Sequence, residues 1–152
     1  MQAPGLPFFG LATLIPLLAL GCDPAGPGAS GAIVLGPNVD AKKFATLEVR
    51  TYPDSSDTFD PSKIPSSDAT TGAQLSEPLK SITFPYHYDA GQVIGTTDEQ
   101  RWRMTAWLSA STGPMAPAMG EPTCSVAFKL NECGAQFGGY CGTRDNIDCQ
   151  LE

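Results

Sequence analysis

Runs in which hydrophobic and polar residues alternate recur along this chain, and each predicts a β-strand because successive side chains of a strand point to opposite faces. The clearest run covers residues 101–111 and places Trp102, Met104, Ala106 and Leu108 on one face. Similar runs cover residues 44–52, 79–88, 124–130 and 147–151, and an apolar run at 32–35 predicts a first edge strand. No stretch shows sustained helical periodicity, so the pattern predicts an all-β chain.

Turn-forming residues separate these runs. The sequence contains 16 Gly and 14 Pro, which favour short strands and loops over long helices. The segment from Asp54 to Glu77 is longer than an ordinary hairpin connection and predicts a polar surface loop, with a short turn near Pro61–Ile64. Pro85 predicts an edge strand or a bend, and Asp89–Gly91 predicts a turn. Roughly six to eight short strands of this kind predict a single antiparallel β-sandwich over residues 32–152.

The first apolar stretch has a different meaning. Residues 6–20 read LPFFGLATLIPLLAL and carry no charge. A membrane-spanning helix needs about 20 apolar residues, so this shorter run is typical of the apolar core of a cleavable export signal. Gly21 and Cys22 follow directly. The stretch therefore resembles the signal peptide of bacterial lipoproteins, in which a short apolar segment ends in a small residue just before a cysteine.

The lipoprotein resemblance implies a cellular location and a lipid anchor. Residues 1–21 would be removed, Cys22 would carry a thioether-linked diacylglycerol, and residues 22–31, rich in Gly, Pro and Ala, would form a flexible tether. Acyl chains contribute about 0.8 kcal/mol per buried CH₂, and two or three of them anchor stably. The expected location is the bacterial cell envelope, on the periplasmic or surface side of a membrane. In enterobacterial lipoproteins an Asp directly after the lipidated cysteine favours retention in the inner membrane, and Asp23 matches this pattern. An ordinary secreted protein that keeps Cys22 as a thiol is the alternative.

The cysteine count agrees with acylation. The other four cysteines are Cys124, Cys133, Cys141 and Cys149. They lack the close pairs typical of structural zinc sites and the Cys-x-x-Cys motif of redox enzymes. In an exported protein they predict two disulfides, for which three connectivities exist. We favour Cys133 with Cys141, clamping a Gly-rich turn, and Cys124 with Cys149, linking two strands.

The charge balance restricts the partners. The chain has 16 acidic and 9 basic residues and a net charge of −7, which argues against a nucleic-acid partner. The expected partners are the membrane, through the anchor, and an envelope protein or polysaccharide. Asp54, Asp57 and Asp60 recur at every third position but lack the spacing of an EF-hand calcium loop. They favour a solvated acidic loop, and we expect no metal and no cofactor.

One aromatic residue lies on the polar side of the clearest run. Trp107 alternates with core positions and is placed to stack with Arg103 of the same run or with Arg50 of another strand, a cation–π contact of about 0.5–1 kcal/mol when exposed. These residues are the candidate ligand-binding site, in which Trp107 would form a platform for a sugar ring or a partner. The alternative is a ring covered by the long loop or by an arginine.

The residues predict no enzyme. The single histidine, His87, falls on the polar face of its run, and no Gly-x-Ser-x-Gly elbow supplies a nucleophile. The stretches ITFPYHYDAG, RWRMTAWLSAS and GGYCGTRDNIDCQL loosely resemble immunoglobulin-like or transthyretin-like sandwiches of bacterial envelope proteins. This likeness implies a fold and not a function. We expect a non-enzymatic structural or binding role; the second hypothesis is a carbohydrate- or peptide-recognition module, and the third an envelope hydrolase.

Overall fold

Short β-strands joined by turns and loops account for the regular structure. The computed structural model describes residues 25–65, 72–92, 95–113 and 116–152, so the apolar stretch, Cys22 and residues 93–94 lie outside the described part. The strands are β1 (Gly28–Leu35), β2 (Thr46–Pro53), β3 (Gln74–Pro78), β4 (Tyr86–Gly91), β5 (Arg101–Ser109), β6 (Thr123–Lys129), β7 (Asn131–Glu132), β8 (Tyr140–Cys141), β9 (Thr143–Arg144) and β10 (Cys149–Leu151). Single-turn 3₁₀ helices cover Ala41–Lys43, Pro61–Lys63 and Leu79–Ser81. None of the described residues forms a helix of the length and hydrophobicity that crossing a bilayer requires.

The strands form two main sheets, and the predicted all-β class is confirmed. One sheet has the order β10-β1-β4, with β9 also paired to β1, and the other has the order β3-β2-β5-β6. β7 and β8 form a small third sheet. The pairs β1–β9 and β1–β10 are parallel, so the first sheet is mixed where the sequence predicted antiparallel pairing. Parallel neighbours require a long crossover, and here the excursion through the second sheet, β5 and β6, provides it.

β1 differs from its prediction in both extent and position. It begins at Gly28, so residues 28–31 belong to the sheet and not to a tether. It also lies between β4 and β10, so it is not an edge strand. Small residues are needed in β1 because another part of the backbone passes close by. A Cβ on Gly31 would lie 2.5 Å from the carbonyl oxygen of Ile147. Composition alone could not distinguish this requirement from flexibility.

The core between the sheets follows the alternation. The inward residues predicted for β5 are all 0–1% exposed. The largest fully buried aliphatic side chains of the core are Ile33, Leu47, Met104, Leu108, Leu130 and Leu151. Each such side chain contributes about 1.5–3 kcal/mol on burial. Both predicted disulfides are present, Cys124–Cys149 between β6 and β10 and Cys133–Cys141 across the Gly-rich turn.

Two predictions around Pro85 need correction. The run at residues 79–88 is not one strand, because the 3₁₀ helix Leu79–Ser81 precedes a bend and β4 starts only at Tyr86. Residues 89–91 continue β4 and do not form a turn, since they pair with residues 28–30 of β1. β4 does lie at an edge of its sheet, as Pro85 indicated. His87 is exposed on this strand, as predicted.

Candidate functional site

The outer side of the second sheet, which the sequence predicted to be solvent-exposed, is buried. β2 is buried from Thr46 to Tyr52 on both of its faces, and β5 is buried from Trp102 to Ser109. We call this outer side the covered face. Its principal side chains are Glu48, Arg50 and Tyr52 of β2 and Arg103, Thr105 and Trp107 of β5. All the predicted binding residues therefore lie on it.

The register of β2 and β5 determines which of these side chains meet. Glu48 lies opposite Trp107, Arg50 opposite Thr105, and Tyr52 opposite Arg103. The guanidinium carbon of Arg50 lies 5.8 Å from the centroid of the Trp107 ring, so the predicted cation–π contact with Arg50 is present. The hydroxyl groups of Tyr52 and Thr105 are 3.1 Å apart and share a hydrogen bond. The face is thus a layer of mutually packed polar and aromatic groups.

The loop after β2 covers this layer. Phe59 and Ile64 of this loop pack against the cluster formed by Tyr52 and Trp107, and Ala116 of the connection between β5 and β6 packs there as well. Arg50 Nη1 donates a hydrogen bond of 2.8 Å to the carbonyl oxygen of Pro65. The first part of the predicted long polar loop therefore folds back over its own sheet, and apolar residues within it exclude water from the Trp107 ring.

Arg103 fastens the start of that loop. Its Nε lies 2.6 Å from Asp54 Oδ2, and both side chains are 4% exposed. Its Nη2 donates to the carbonyl oxygen of Ser56 at 2.9 Å, and its Nη1 donates to Ser125 Oγ at 3.1 Å. Burial by itself raises the pKa of Asp54, but hydrogen bonds from Ser56 and the neighbouring Arg103 outweigh burial and hold that pKa below its ordinary value.

The three regularly spaced aspartates serve three separate structural purposes. Asp54 pairs with Arg103 in the interior, whereas Asp57 forms an exposed ion pair of 2.6 Å with Arg101. Asp60 accepts a 2.9 Å hydrogen bond from the backbone N–H of Ser62 and caps the 3₁₀ helix Pro61–Lys63. Within the described ranges, no group of three or more His, Cys, Asp and Glu side chains is placed to hold a metal ion.

Among the described residues, the covered face contains buried polar atoms that have no hydrogen-bond partner. Ser76 Oγ donates to Glu48 Oε1 at 2.7 Å, but Glu48 Oε2 and Trp107 Nε1 have no hydrogen bond in the described structure. Sequence reasoning did not identify Glu48, because alternation assigned it to the solvent-exposed face, or the buried role of Asp54, because the polar composition of residues 54–77 predicted a solvated loop. The one signal that pointed to this face was a tryptophan at a position predicted to be polar.

Burial decides what Trp107 can do in this conformation. The residue is 0% exposed, whereas a recognition platform would present the ring beside a cleft. Arg103 and Arg50 are 3% and 4% exposed and hold the loop with their donors. The predicted binding residues are thus brought together, but their contacts are with their own chain. His87, elsewhere on β4, makes no ion pair with any carboxylate in the described ranges.

A second region, at one end of the sandwich, has the open shape that the covered face lacks. Two adjoining depressions meet at Phe44 and Lys80, and we call them together the Phe44 groove. One has a volume of about 380 Å³ and is lined by Ala41, Lys42, Phe44, Leu79, Lys80, Ile82 and Phe84. The other has a volume of about 460 Å³ and is lined by Phe44, Ala45, Thr46, Pro78, Lys80 and Thr112. The alternation pattern did not single out these residues, because they come from connections between strands.

Comparisons of this chain with protein-family models, with curated proteins and with solved structures gave no match. The residues and their geometry are therefore the basis for the function proposed below.

Proposed function

We propose that this protein is a lipid-anchored domain of the bacterial cell envelope with a non-enzymatic structural or binding role. The observation that carries the proposal is the cysteine pairing. Four of the five cysteines form Cys124–Cys149 and Cys133–Cys141, and the remaining one, Cys22, directly follows the apolar stretch. Disulfides persist in oxidising compartments outside the cytoplasm. Acylation of Cys22 leaves no spare thiol in such a compartment.

The position of β1 favours a structural role for the anchor. Gly28 is the sixth residue after Cys22, and six residues span at most about 20 Å. β1 pairs with strands on both sides, and the carbonyl oxygen of Ala25 accepts a hydrogen bond of 2.8 Å from Gly142 N–H. The lipid would therefore be attached to the middle of a sheet by a short connection, which keeps the domain close to the membrane.

The covered face supports a structural role over recognition through Trp107. Its arginines bind the loop, and its aromatic rings are packed under apolar side chains of the same chain. A carbohydrate or peptide that used Trp107 would first have to displace residues 54–65. This alternative predicts ligand-dependent opening of that loop, which fluorescence of Trp107 would report.

Fractionation of Cys22→Ala tests the anchor. We expect the wild-type protein in the membrane fraction, with an N-terminal mass increased by a diacylglycerol, and Cys22→Ala in the soluble fraction. The matched control, Cys133→Ser with Cys141→Ser, removes two other sulfurs and should remain with the membrane. The proposal is wrong if Cys22→Ala partitions like the wild type, or if intact-mass measurement of the wild type finds an unmodified Cys22.

A further inference from the structure

We propose that the Phe44 groove binds an acidic, extended peptide segment of a partner protein. Apolar side chains of that segment would occupy the two depressions, and its carboxylates would pair with Lys42 and Lys80. The binding site is separate from the anchor, and its chemistry does not depend on acylation of Cys22.

The floor of the groove is apolar and held in place. Leu79, Ile82 and Phe84 are half-buried and pack against the main core, as does Phe44. The backbone beside them is fixed by hydrogen bonds from Leu79 N–H to the Ala45 carbonyl oxygen at 3.0 Å and from Ala45 N–H to the Ser109 carbonyl oxygen at 2.7 Å. A preformed apolar surface of this kind lowers the ordering cost of binding.

The charges at the rim select an anionic partner. Lys42 and Lys80 line the groove, and Lys43 lies beside Phe44 in a neighbouring depression whose lining also includes Asp40 and Glu152. None of them forms an ion pair with a described residue, whereas Arg101 and Arg103 do. Neither depression of the groove has an acidic residue in its lining. The positive rim is therefore available to carboxylates, and it would repel a basic segment.

The charged rim favours an acidic peptide over an acyl chain, which has no carboxylates along its length. The two depressions have volumes of about 380 and 460 Å³ and share Phe44 and Lys80 in their linings. Side chains on one face of an extended peptide are spaced by about 6.6 Å, and intervening residues point away. Such a segment would place its apolar residues in the two depressions and leave its acidic residues at the rim.

The position of the groove makes it accessible to a partner. β1 runs from Gly28 to Leu35, about 23 Å at about 3.3 Å per residue, and Ile33 pairs with Tyr86 close to the Phe84 side of the groove. The groove therefore lies at the end of the sandwich remote from the start of β1. On the proposed function, this end faces away from the bilayer.

Selection from a displayed random-peptide library tests the proposal. The bait is the exported full chain with Cys22→Ala, so that no acyl chain competes; if Cys22 proves unmodified, the wild-type chain serves equally. The charge-reversed bait carries Lys42→Glu and Lys80→Glu. The matched control carries Lys63→Glu, because Lys63, like Lys80, is an exposed lysine of a 3₁₀ helix but lies on the covering loop. Circular dichroism checks that the three baits are folded alike.

We expect enriched peptides to carry Asp or Glu next to Leu, Ile or Phe. Their affinity should fall at least tenfold for the charge-reversed bait and remain unchanged for Lys63→Glu. Chemical-shift changes in NMR should centre on Phe44, Leu79 and Ile82. The proposal is overturned if no peptide is enriched, if the enriched peptides lack acidic residues, or if they bind the charge-reversed bait equally. Shifts of the same resonances with decanoate and with no selected peptide would assign the groove to an acyl chain instead.

Discussion

Asp54 and Arg103 form a buried salt bridge on the outer side of a β-sheet, beneath a loop of the same chain. Asp54 Oδ2 lies 2.6 Å from Arg103 Nε, and each side chain is 4% exposed. Asp54 is the first residue after β2, so the pair fastens the point at which the loop leaves the sheet. The same loop closes over Trp107, and the pair therefore contributes to keeping that ring buried.

Removing one partner of this pair should strongly destabilise the fold. Asp54→Asn leaves the Arg103 guanidinium buried without a counter-charge, which costs about 3–5 kcal/mol. Urea unfolding of the two proteins at pH 7 measures the difference. The matched control is Asp57→Asn, which breaks the exposed pair with Arg101 and should change the unfolding free energy little. Equal effects of the two substitutions would contradict a special role for the buried pair.

The pH dependence of stability should follow from the lowered pKa of Asp54. Its hydrogen bonds and Arg103 hold the pKa in the folded state below the unfolded value, about 3.9. Its stabilising contribution is therefore present above about pH 4 and is lost as the pH falls through the folded pKa. The gap in unfolding free energy between wild type and Asp54→Asn should shrink on acidification below about pH 4. A gap that stays constant between pH 7 and pH 3 would refute this assignment.

The contact between Arg50 and Trp107 should be measurable as a coupling energy. The guanidinium carbon is 5.8 Å from the ring centroid, and both residues are buried. A double-mutant cycle with Arg50→Met and Trp107→Leu should give about 1–2 kcal/mol, since cation–π contacts strengthen when desolvated. The comparison cycle combines Arg101→Met with Trp107→Leu. The guanidinium of Arg101 pairs with Asp57, so this cycle should give a coupling energy near zero. A coupling energy of zero in the Arg50 cycle would show that Arg50 and Trp107 are close in space but do not stabilise each other.

The two disulfides should differ in their contribution to stability. Cys124 and Cys149 are 25 residues apart and lie in the core, whereas Cys133 and Cys141 are 8 apart in a turn. The loop-entropy relation gives about 3.5 kcal/mol for the longer loop and about 2.5 kcal/mol for the shorter one. Replacing each pair by serines and measuring urea midpoints tests the order. A greater fall of the urea midpoint on removing Cys133 and Cys141 than on removing Cys124 and Cys149 would contradict this order.

A methyl group at Gly31 should disturb the packing of β1. Its Cβ would lie 2.5 Å from the carbonyl oxygen of Ile147 and 2.9 Å from the nitrogen of the same residue, both of which are backbone atoms. Gly31→Ala should therefore lower the free energy of unfolding by about 1–3 kcal/mol, the usual cost of overpacking. Gly134→Ala is the control, because no other atom lies within 4 Å of its Cβ position and its φ is not positive. Similar thermal midpoints for the two variants would show that β1 can shift to accept the methyl group.

Local sequence determined the inward and outward faces of the main strands. In β5, every second residue from Trp102 to Leu108 had to point the same way, because a strand turns its side chains by half a revolution per residue. The separation of 8 residues around a Gly-rich turn favoured the pairing of Cys133 with Cys141. Cys124 and Cys149 are 25 residues apart in strands of different sheets, so their pairing was a preference among three connectivities. The strand faces depend on residues that are near in sequence.

Tertiary structure alone decided which faces meet water. Alternation separated Glu48 and Arg50 from Leu47 and Val49, but it could not show that the loop after β2 folds back and covers the outer face as well. The same holds for β1, whose glycines have no apolar signal and are needed where the backbone of Ile147 approaches. Covering a face and pairing strands in parallel are contacts between residues far apart in sequence, and a local pattern of hydrophobicity contains no information about them.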